Sequence, residues 1–208
     1  MEKLFQIESV EGGPKRTIVE IGPGPISLIY KVHQNEKGDF AYDSSEESFK
    51  WQKGDVYVAV DLPPFRIQDN IGNQSENMDR LKNDFKSRLP EGVKGEIVYA
   101  DGTKLPFDNE TVDVIFMANV ISGHIKDDFR EGEHLLPPDE NVISEKLGIL
   151  SEANRILKTG GKVIIEETYM PAYMGIVENI IDALKTNDQW KIKEIENEDS
   201  LILELTKK

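Results

Sequence analysis

Cysteine is absent from this chain of 208 residues. Its absence excludes disulfides, thiolate metal sites and cysteine nucleophiles. Histidine is scarce as well: His33, His124 and His134 lie far apart in sequence and do not show the spacing of a zinc motif. We therefore expect no metal site.

Long apolar runs and an excess of positive charge are also missing. No stretch approaches the roughly 20 apolar residues of a membrane span. Residues 1–13 contain three glutamates but no apolar segment typical of a secretory signal. The net charge of −14 disfavours partners that present phosphates. We therefore expect a cytoplasmic protein with a solvated acidic surface and no nucleic-acid or membrane partner.

Five short runs rich in β-branched residues stand out in the chain. They are apolar over most of their length, as in strands that are buried on both faces of a parallel sheet. They span residues 17–21, 56–60, 96–100, 112–117 and 162–166.

Helical patterns lie between these runs, because apolar residues recur there at three- and four-residue spacing. They predict helices over residues 78–89, 143–157 and 173–184. Gly160 and Gly161 are expected to cap the second helix, and Pro171 to open the third. The alternation of strands and helices favours a doubly wound α/β sheet with right-handed crossovers.

The tail has a different pattern. Residues 190–195 and 200–205 predict two strands, and the four polar residues between them leave no room for a helix. These strands must therefore pair as an antiparallel hairpin at the edge of the sheet. The predicted fold class is α/β: a doubly wound, mostly parallel seven-stranded sheet with an antiparallel C-terminal hairpin.

A single domain is predicted over residues 1–208, with two insertions that exceed ordinary loop lengths, at about 34–54 and 122–141. The first insertion is rich in aromatic residues, namely Phe40, Tyr42, Phe49 and Trp51. These residues either pack on the sheet as a cover or line a pocket for a small molecule or a cation. The second insertion is a lid, a disordered segment or an interaction surface.

The most informative motif follows the first strand. There, Glu20-Ile21-Gly22-Pro23-Gly24-Pro25 leads into a helix predicted over residues 26–32. Glycine lets the backbone turn sharply and lets a ligand approach where a Cβ would clash. The start of the helix offers free N–H groups and a positive dipole end to an anionic group. The motif therefore predicts a ligand site at the end of the first strand.

Polar residues end the next three strands as well. Asp61 ends the second strand, Asp101 ends the third and is followed by Gly102, and Asn119 ends the fourth. Ligands of doubly wound sheets bind outside the carboxyl ends of the strands, at the switch point of the strand order. We therefore expect these residues to form one site. Two glutamates, at positions 166 and 167, end the fifth strand with no role that the pattern assigns.

With these residues in this order, the chain resembles the class I S-adenosylmethionine-dependent methyltransferases over nearly its whole length. The resemblance rests on residues 20–25, 58–61, 100–107, 112–115 and 152–162. It implies a Rossmann-like methyltransferase fold, with S-adenosyl-L-methionine as the methyl donor and methyl transfer as the activity.

The resemblance also implies roles at the methionine end of the donor. Glu20 would lie beside the methionine portion, and Gly22 and Gly24 would give it access to the backbone. Asn119 would lie near the amino group, through its backbone carbonyl. Pro25 departs from the family, which often has a small residue there, and it removes one N–H donor from the start of the helix.

At the nucleoside end, the resemblance implies that Asp61 holds the ribose hydroxyls and Leu62 packs against the adenine. Asp101 would accept a hydrogen bond from the adenine amino group, and the N–H of Gly102 would serve a ring nitrogen. The glycine turn and Asp61 are separated by about twice the roughly 20 residues that are typical of nucleotide-binding folds. We attribute the excess to the insertion at 34–54.

The predicted function is methyl transfer from S-adenosylmethionine to an unidentified acceptor, with a small molecule as the default because no appended domain indicates a macromolecular target. His124 is either a general base for an oxygen or protonated nitrogen acceptor or an exposed loop histidine. The oligomeric state is not predicted.

Three alternatives remain at this stage. A dinucleotide-dependent dehydrogenase is disfavoured because Ser27 stands where that fingerprint requires its third glycine. An aminopropyl transferase that uses the decarboxylated donor would keep the same fold. A non-catalytic, methyltransferase-like protein would bind the donor, or nothing, and act as a regulator or scaffold.

Overall fold

A computed structural model describes residues 16–22, 33–34, 40–41, 51–61, 86, 89, 91–121, 140–168, 171–196 and 200–208. Nine strands and two helices lie within these residues. In chain order they are β1 (Thr17–Ile21), β2 (His33–Gln34), β3 (Phe40–Ala41), β4 (Val56–Asp61), β5 (Lys94–Tyr99), β6 (Val112–Ala118), α1 (Glu140–Ile156), β7 (Leu157–Thr168), α2 (Pro171–Thr186), β8 (Trp190–Glu196) and β9 (Ser200–Lys207).

Seven strands form one sheet in the order β5-β4-β1-β6-β7-β9-β8. Strands β5, β4, β1, β6 and β7 are parallel, whereas β9 runs antiparallel to both of its neighbours, β7 and β8. The predicted fold class is confirmed. Strands β4 and β5 lie on one side of β1, and β6 and β7 lie on its other side. The strand order therefore reverses at β1, which is the switch point of the sheet.

The central parallel strands β1 and β6 are buried on both faces, which explains their nearly continuous apolar sequences. On one face, Val19, Ile21 and Met117 belong to a core that also contains the apolar sides of α1 and α2. On the opposite face, Ile18 and Tyr57 belong to a second, smaller core. Full burial of an aliphatic side chain contributes about 1.5–3 kcal/mol to the stability of the fold, so both faces of the sheet stabilise it.

Helix α1 follows its predicted periodicity. Its buried apolar residues are Ile149, Leu150, Ala153 and Ile156. One charged residue, Lys146, is buried on the same helix. Glu140 in the first turn and Arg155 in the last turn complement the helix dipole.

The predicted role of Gly160 and Gly161 is wrong. Helix α1 ends at Ile156, and the two glycines lie in an irregular part of β7, between the residues that pair with Val112 and Val114 of β6. Gly160 has a φ of 78°. A Cβ on Gly161 would lie 2.9 Å from the carbonyl oxygen of Asp113. Gly161 thus permits a close approach of β7 to β6, Gly160 supplies the left-handed backbone beside it, and neither caps a helix.

The first insertion contains the antiparallel pair β2–β3, which the sequence did not predict. Near its end, Trp51 packs edge-on against Tyr57, with ring centroids 5.4 Å apart and an interplanar angle of 85°. The helix predicted at 78–89 and the second insertion lie almost entirely outside the described residues. In the part of the chain that is described, neither helix has both the length and the apolar character needed to cross a membrane.

Candidate functional site

The glycine turn begins where β1 ends, at Gly22. Its φ is 65°, a left-handed conformation that glycine adopts without strain. The N–H of Gly22 donates to the carbonyl of Val60 at 2.8 Å, which ties the turn to β4. A Cβ at this position would lie 3.0 Å from Cγ2 of Val120. Gly22 is therefore required by its conformation and by its close neighbour, while Gly24 lies outside the described residues.

Glu20 is the penultimate residue of β1, and it is 1% exposed. The hydroxyl of Tyr57, on the neighbouring strand β4, donates a hydrogen bond to its carboxylate. Burying a carboxylate is unfavourable unless such partners are supplied. Tyr57 was not among the predicted site residues. Its only sequence signal is a tyrosine within an otherwise aliphatic strand.

Asp61 is the last residue of β4 and pairs in register with Tyr99 of β5. Strand β4 is continuous over six residues, so the preceding insertion does not interrupt it. The backbone of Asp61 therefore stands at the carboxyl end of the sheet, as predicted. Its side chain and all of Leu62 lie outside the described part of the structure.

Asp101 and Gly102 follow β5 in a tight turn. The exposed carboxylate of Asp101 accepts hydrogen bonds through Oδ1 from the N–H of Thr103 at 2.8 Å and from its hydroxyl at 2.7 Å. A Cβ on Gly102 would lie 3.4 Å from side-chain carbons of both Ile149 and Ile21. The backbone at Gly102 thus runs close to both α1 and β1.

The loop that starts with this turn is held by Arg155 of α1. The guanidinium donates to the carbonyl oxygens of Leu105 at 3.1 Å and Phe107 at 2.9 Å, and to Oδ1 of Asn109 at 2.7 Å. It also forms an ion pair with Glu152 at 2.6 Å. We call this set of contacts the Arg155 latch.

Glu152 contributes a second contact to the Arg155 latch. Its Oε1 accepts the N–H of Leu105 at 2.8 Å. The hydrogen bond from Arg155 is the main cause that lowers the pKa of Glu152. Both residues lie in a segment that carries the family resemblance, yet the sequence alone assigned them no role.

Asn119 follows β6 with a φ of 52°, in the left-handed region. Its N–H donates to the carbonyl of Glu166 at 2.8 Å. Two residues later, the N–H of Ile121 donates to Oε1 of Glu167 at 2.9 Å. The turn at residues 119–121 is therefore held by the end of β7.

The strand order brings the predicted residues to one edge of the sheet. The carboxyl ends of β5, β4, β1 and β6 lie side by side, and they carry Asp101, Asp61, Gly22 and Asn119 respectively. His124 lies outside the described residues. Among the residues that are described, no group of three or more histidine, aspartate or glutamate side chains is placed to hold a metal ion.

No family model matches the sequence, and comparison with curated proteins finds no match. Solved structures do match. A SAM-dependent methyltransferase from Aquifex aeolicus is 16% identical with a TM-score of 0.55, over 94% of this chain and 85% of that one. A SAM-dependent methyltransferase from Methanosarcina mazei is 16% identical with a TM-score of 0.51, over 93% and 92%. An arsenic(III) S-adenosylmethionine methyltransferase from Chlamydomonas reinhardtii is 14% identical with a TM-score of 0.52, over 92% and 64%.

The chain has the fold of the S-adenosylmethionine-dependent methyltransferases. In this methyltransferase fold, the four strand ends lie side by side at one edge of the sheet. Gly22 packs closely against Val120, and Gly102 packs against Ile149 and Ile21, while Asp101 presents an exposed carboxylate after β5. Backbone N–H groups and a carboxylate are the partners that adenine and amino groups require.

Proposed function

We propose that the chain is an S-adenosylmethionine-dependent methyltransferase that acts on a small-molecule acceptor. One observation carries the proposal: a left-handed glycine turn and three polar residues occupy four adjacent strand ends at the switch point of the sheet. Ligands of doubly wound sheets bind at this place. Similarity to solved methyltransferases supports the fold on which the proposal rests.

In this proposal, the nucleoside end of the donor lies at β4 and β5. Asp61 holds the ribose hydroxyls, and Leu62 packs against the adenine. Asp101 accepts from the adenine amino group, and the N–H of Gly102 donates to a ring nitrogen. The Arg155 latch supports this end, because it holds the loop that follows Asp101.

The methionine end lies at β1 and β6. Gly22 and Gly24 bring the backbone close to it, Glu20 stands beneath it, and the carbonyl of Asn119 faces its amino group. S-adenosylmethionine supplies a methyl carbon that is electrophilic because it is bonded to a sulfonium. The protein must then hold an acceptor in line with that carbon, and such positioning contributes up to roughly 7–11 kcal/mol in well-oriented reactions.

The acceptor is proposed as a small molecule for two reasons. The net charge of −14 disfavours polyanionic targets, and one of the similar structures is an arsenic methyltransferase. For an oxygen or protonated nitrogen acceptor, His124 is the proposed general base, five residues beyond Asn119.

Calorimetric titration with S-adenosylmethionine and S-adenosylhomocysteine tests donor binding, and a metabolite extract incubated with isotopically labelled donor tests transfer. The proposal expects both ligands to bind and a labelled small product to form. Binding without any labelled product would support a regulatory protein instead. If neither ligand binds, the proposal is wrong.

Replacing Asp61 by alanine is expected to weaken binding of S-adenosylhomocysteine at least about tenfold, because two hydroxyl hydrogen bonds to a charged group are lost. Asp182 is an exposed aspartate on α2, away from the strand ends, so Asp182→Ala serves as the matched control with unchanged affinity. Equal affinities of the two variants for S-adenosylhomocysteine would show that Asp61 does not bind the ligand.

A further inference from the structure

Two charged residues are buried beside the candidate site, at a place where apolar residues would be expected. Glu167 near the end of β7 is 1% exposed, and Lys146 of α1 is 4% exposed. Burial lowers the pKa of Lys146, while the nearby carboxylates of Glu145 and Glu167 raise it. Buried charges add little stability over apolar residues of similar volume. Stability alone therefore does not account for the two residues.

The contacts of Glu167 lead to the turn at residues 119–121. Its Oε1 accepts the N–H of Ile121 at 2.9 Å, inside the protein. One residue earlier, the carbonyl of Glu166 accepts the N–H of Asn119 at 2.8 Å. The turn is therefore held at both ends by β7, and Val120 lies between the two residues that donate these hydrogen bonds.

On its other side, the same turn meets the glycine turn. The Cγ2 atom of Val120 lies only 3.0 Å from the position that a Cβ on Gly22 would take. A shift of the turn at 119–121 would therefore move Val120 relative to Gly22 and change the space between β1 and β6. Packing of this kind transmits small displacements, because the interior is closely packed.

We propose that Glu167 is a positioning residue that sets the turn at 119–121 against Gly22 and so shapes the pocket for the amino acid end of the donor. The inference rests on the proposed function. Glu167 does not contact the donor in this account. Its carboxylate accepts the N–H of Ile121, and the turn presents the carbonyl of Asn119.

Two double variants separate this role from general stability. Lys146→Met with Glu167→Gln removes both charges and keeps a side-chain oxygen that accepts the N–H of Ile121. Lys146→Met with Glu167→Leu removes both charges and also the acceptor, at similar volume. The two double variants therefore differ chiefly in whether the side chain at position 167 accepts the N–H of Ile121.

The two variants are titrated with S-adenosylhomocysteine and with 5′-methylthioadenosine, which shares the adenosine and thioether but lacks the amino acid. The leucine variant is expected to bind S-adenosylhomocysteine about tenfold more weakly than the glutamine variant, as for loss of one positioning hydrogen bond. Both should bind 5′-methylthioadenosine within about twofold of each other, a selectivity that a loss of overall stability would not produce. Equal losses for both ligands, or no loss for either, would overturn the inference.

Hydrogen exchange of the Ile121 amide gives a second readout that does not need a stable leucine variant. In the wild-type protein, S-adenosylhomocysteine should slow exchange at residues 119–121 more than 5′-methylthioadenosine does. Equal protection by the two ligands would contradict the inference while leaving the proposed function intact. A wild-type protein that binds neither ligand would overturn both.

Discussion

At the scale of single residues, the most specific feature of the site is the contact between Glu20 and Tyr57. The two residues lie on neighbouring strands, and both are almost fully buried. Tyr57→Phe removes the hydroxyl donor and keeps the ring that packs against Trp51. We expect this change to lower the free energy of unfolding by about 1–3 kcal/mol, since a buried carboxylate loses a partner.

A double-mutant cycle checks that expectation by chemical denaturation. In a Glu20→Gln background, the effect of Tyr57→Phe should shrink, because the interaction that it removes is already weakened. Additive effects of the two substitutions would show that the two side chains are not coupled.

Gly22 offers a second test at this scale. Gly22→Ala places a Cβ on a backbone with a φ of 65° and within 3.0 Å of Val120. It should destabilise the fold by about 1–2 kcal/mol. Gly175→Ala is the control, because nothing lies within 4 Å of the added Cβ and the residue is exposed on α2. That change should stabilise by about 0.5–1 kcal/mol. A neutral Gly22→Ala would contradict the account of the turn.

At the scale of elements, the Arg155 latch joins α1 to the loop after β5. Arg155→Gln removes the donors to Leu105, Phe107 and Glu152 and should lower the free energy of unfolding by about 2–3 kcal/mol at pH 7. Lys162→Gln is the control. It breaks an exposed pair with Glu204, 2.9 Å long, and should change stability by less than about 1 kcal/mol.

The effect of Arg155→Gln also depends on pH. Arg155 lowers the pKa of Glu152 in the folded protein below its ordinary value of 4.5. The stabilisation is therefore present above pH 4.5 and is lost as the pH falls through the folded-state pKa. The difference in stability between wild type and Arg155→Gln should narrow between pH 7 and pH 3. A constant difference across this range would contradict the ion-pair assignment.

The strands of the main sheet were predictable from short runs of apolar residues, which in β1, β4 and β6 reflect burial directly, and in β8 from alternation of apolar and charged residues. The contacts that support the site were not. Glu152 and Arg155 contact residues 105–109 only in the folded chain. The burial of Lys146 cannot be recognised from the sequence, because a lysine on an amphipathic helix is usually exposed. Gly160 and Gly161 were misassigned because a glycine pair after a helical pattern indicates a cap as readily as a close approach of two strands. Strands β2 and β3 contain two residues each, so they are too short to show the alternation of apolar and polar residues that predicts a strand.

At the scale of the whole molecule, the site depends on strand order. Residues from Glu20 to Asn119 come together only because β4 and β6 flank β1 and β5 lies beside β4. The strand order reverses at β1, and ligands of doubly wound sheets bind outside the carboxyl ends of the strands at such a point. The proposed ligand position rests on this topology, whereas the topology does not indicate the acceptor.

A crystal structure of the protein with S-adenosylhomocysteine tests the central claim most directly. It should show the adenine at Asp101 and Gly102, the ribose at Asp61, and the amino acid end between Gly22 and Asn119. A ligand bound elsewhere, or strand ends filled by the protein's own side chains at saturating ligand, would contradict the account.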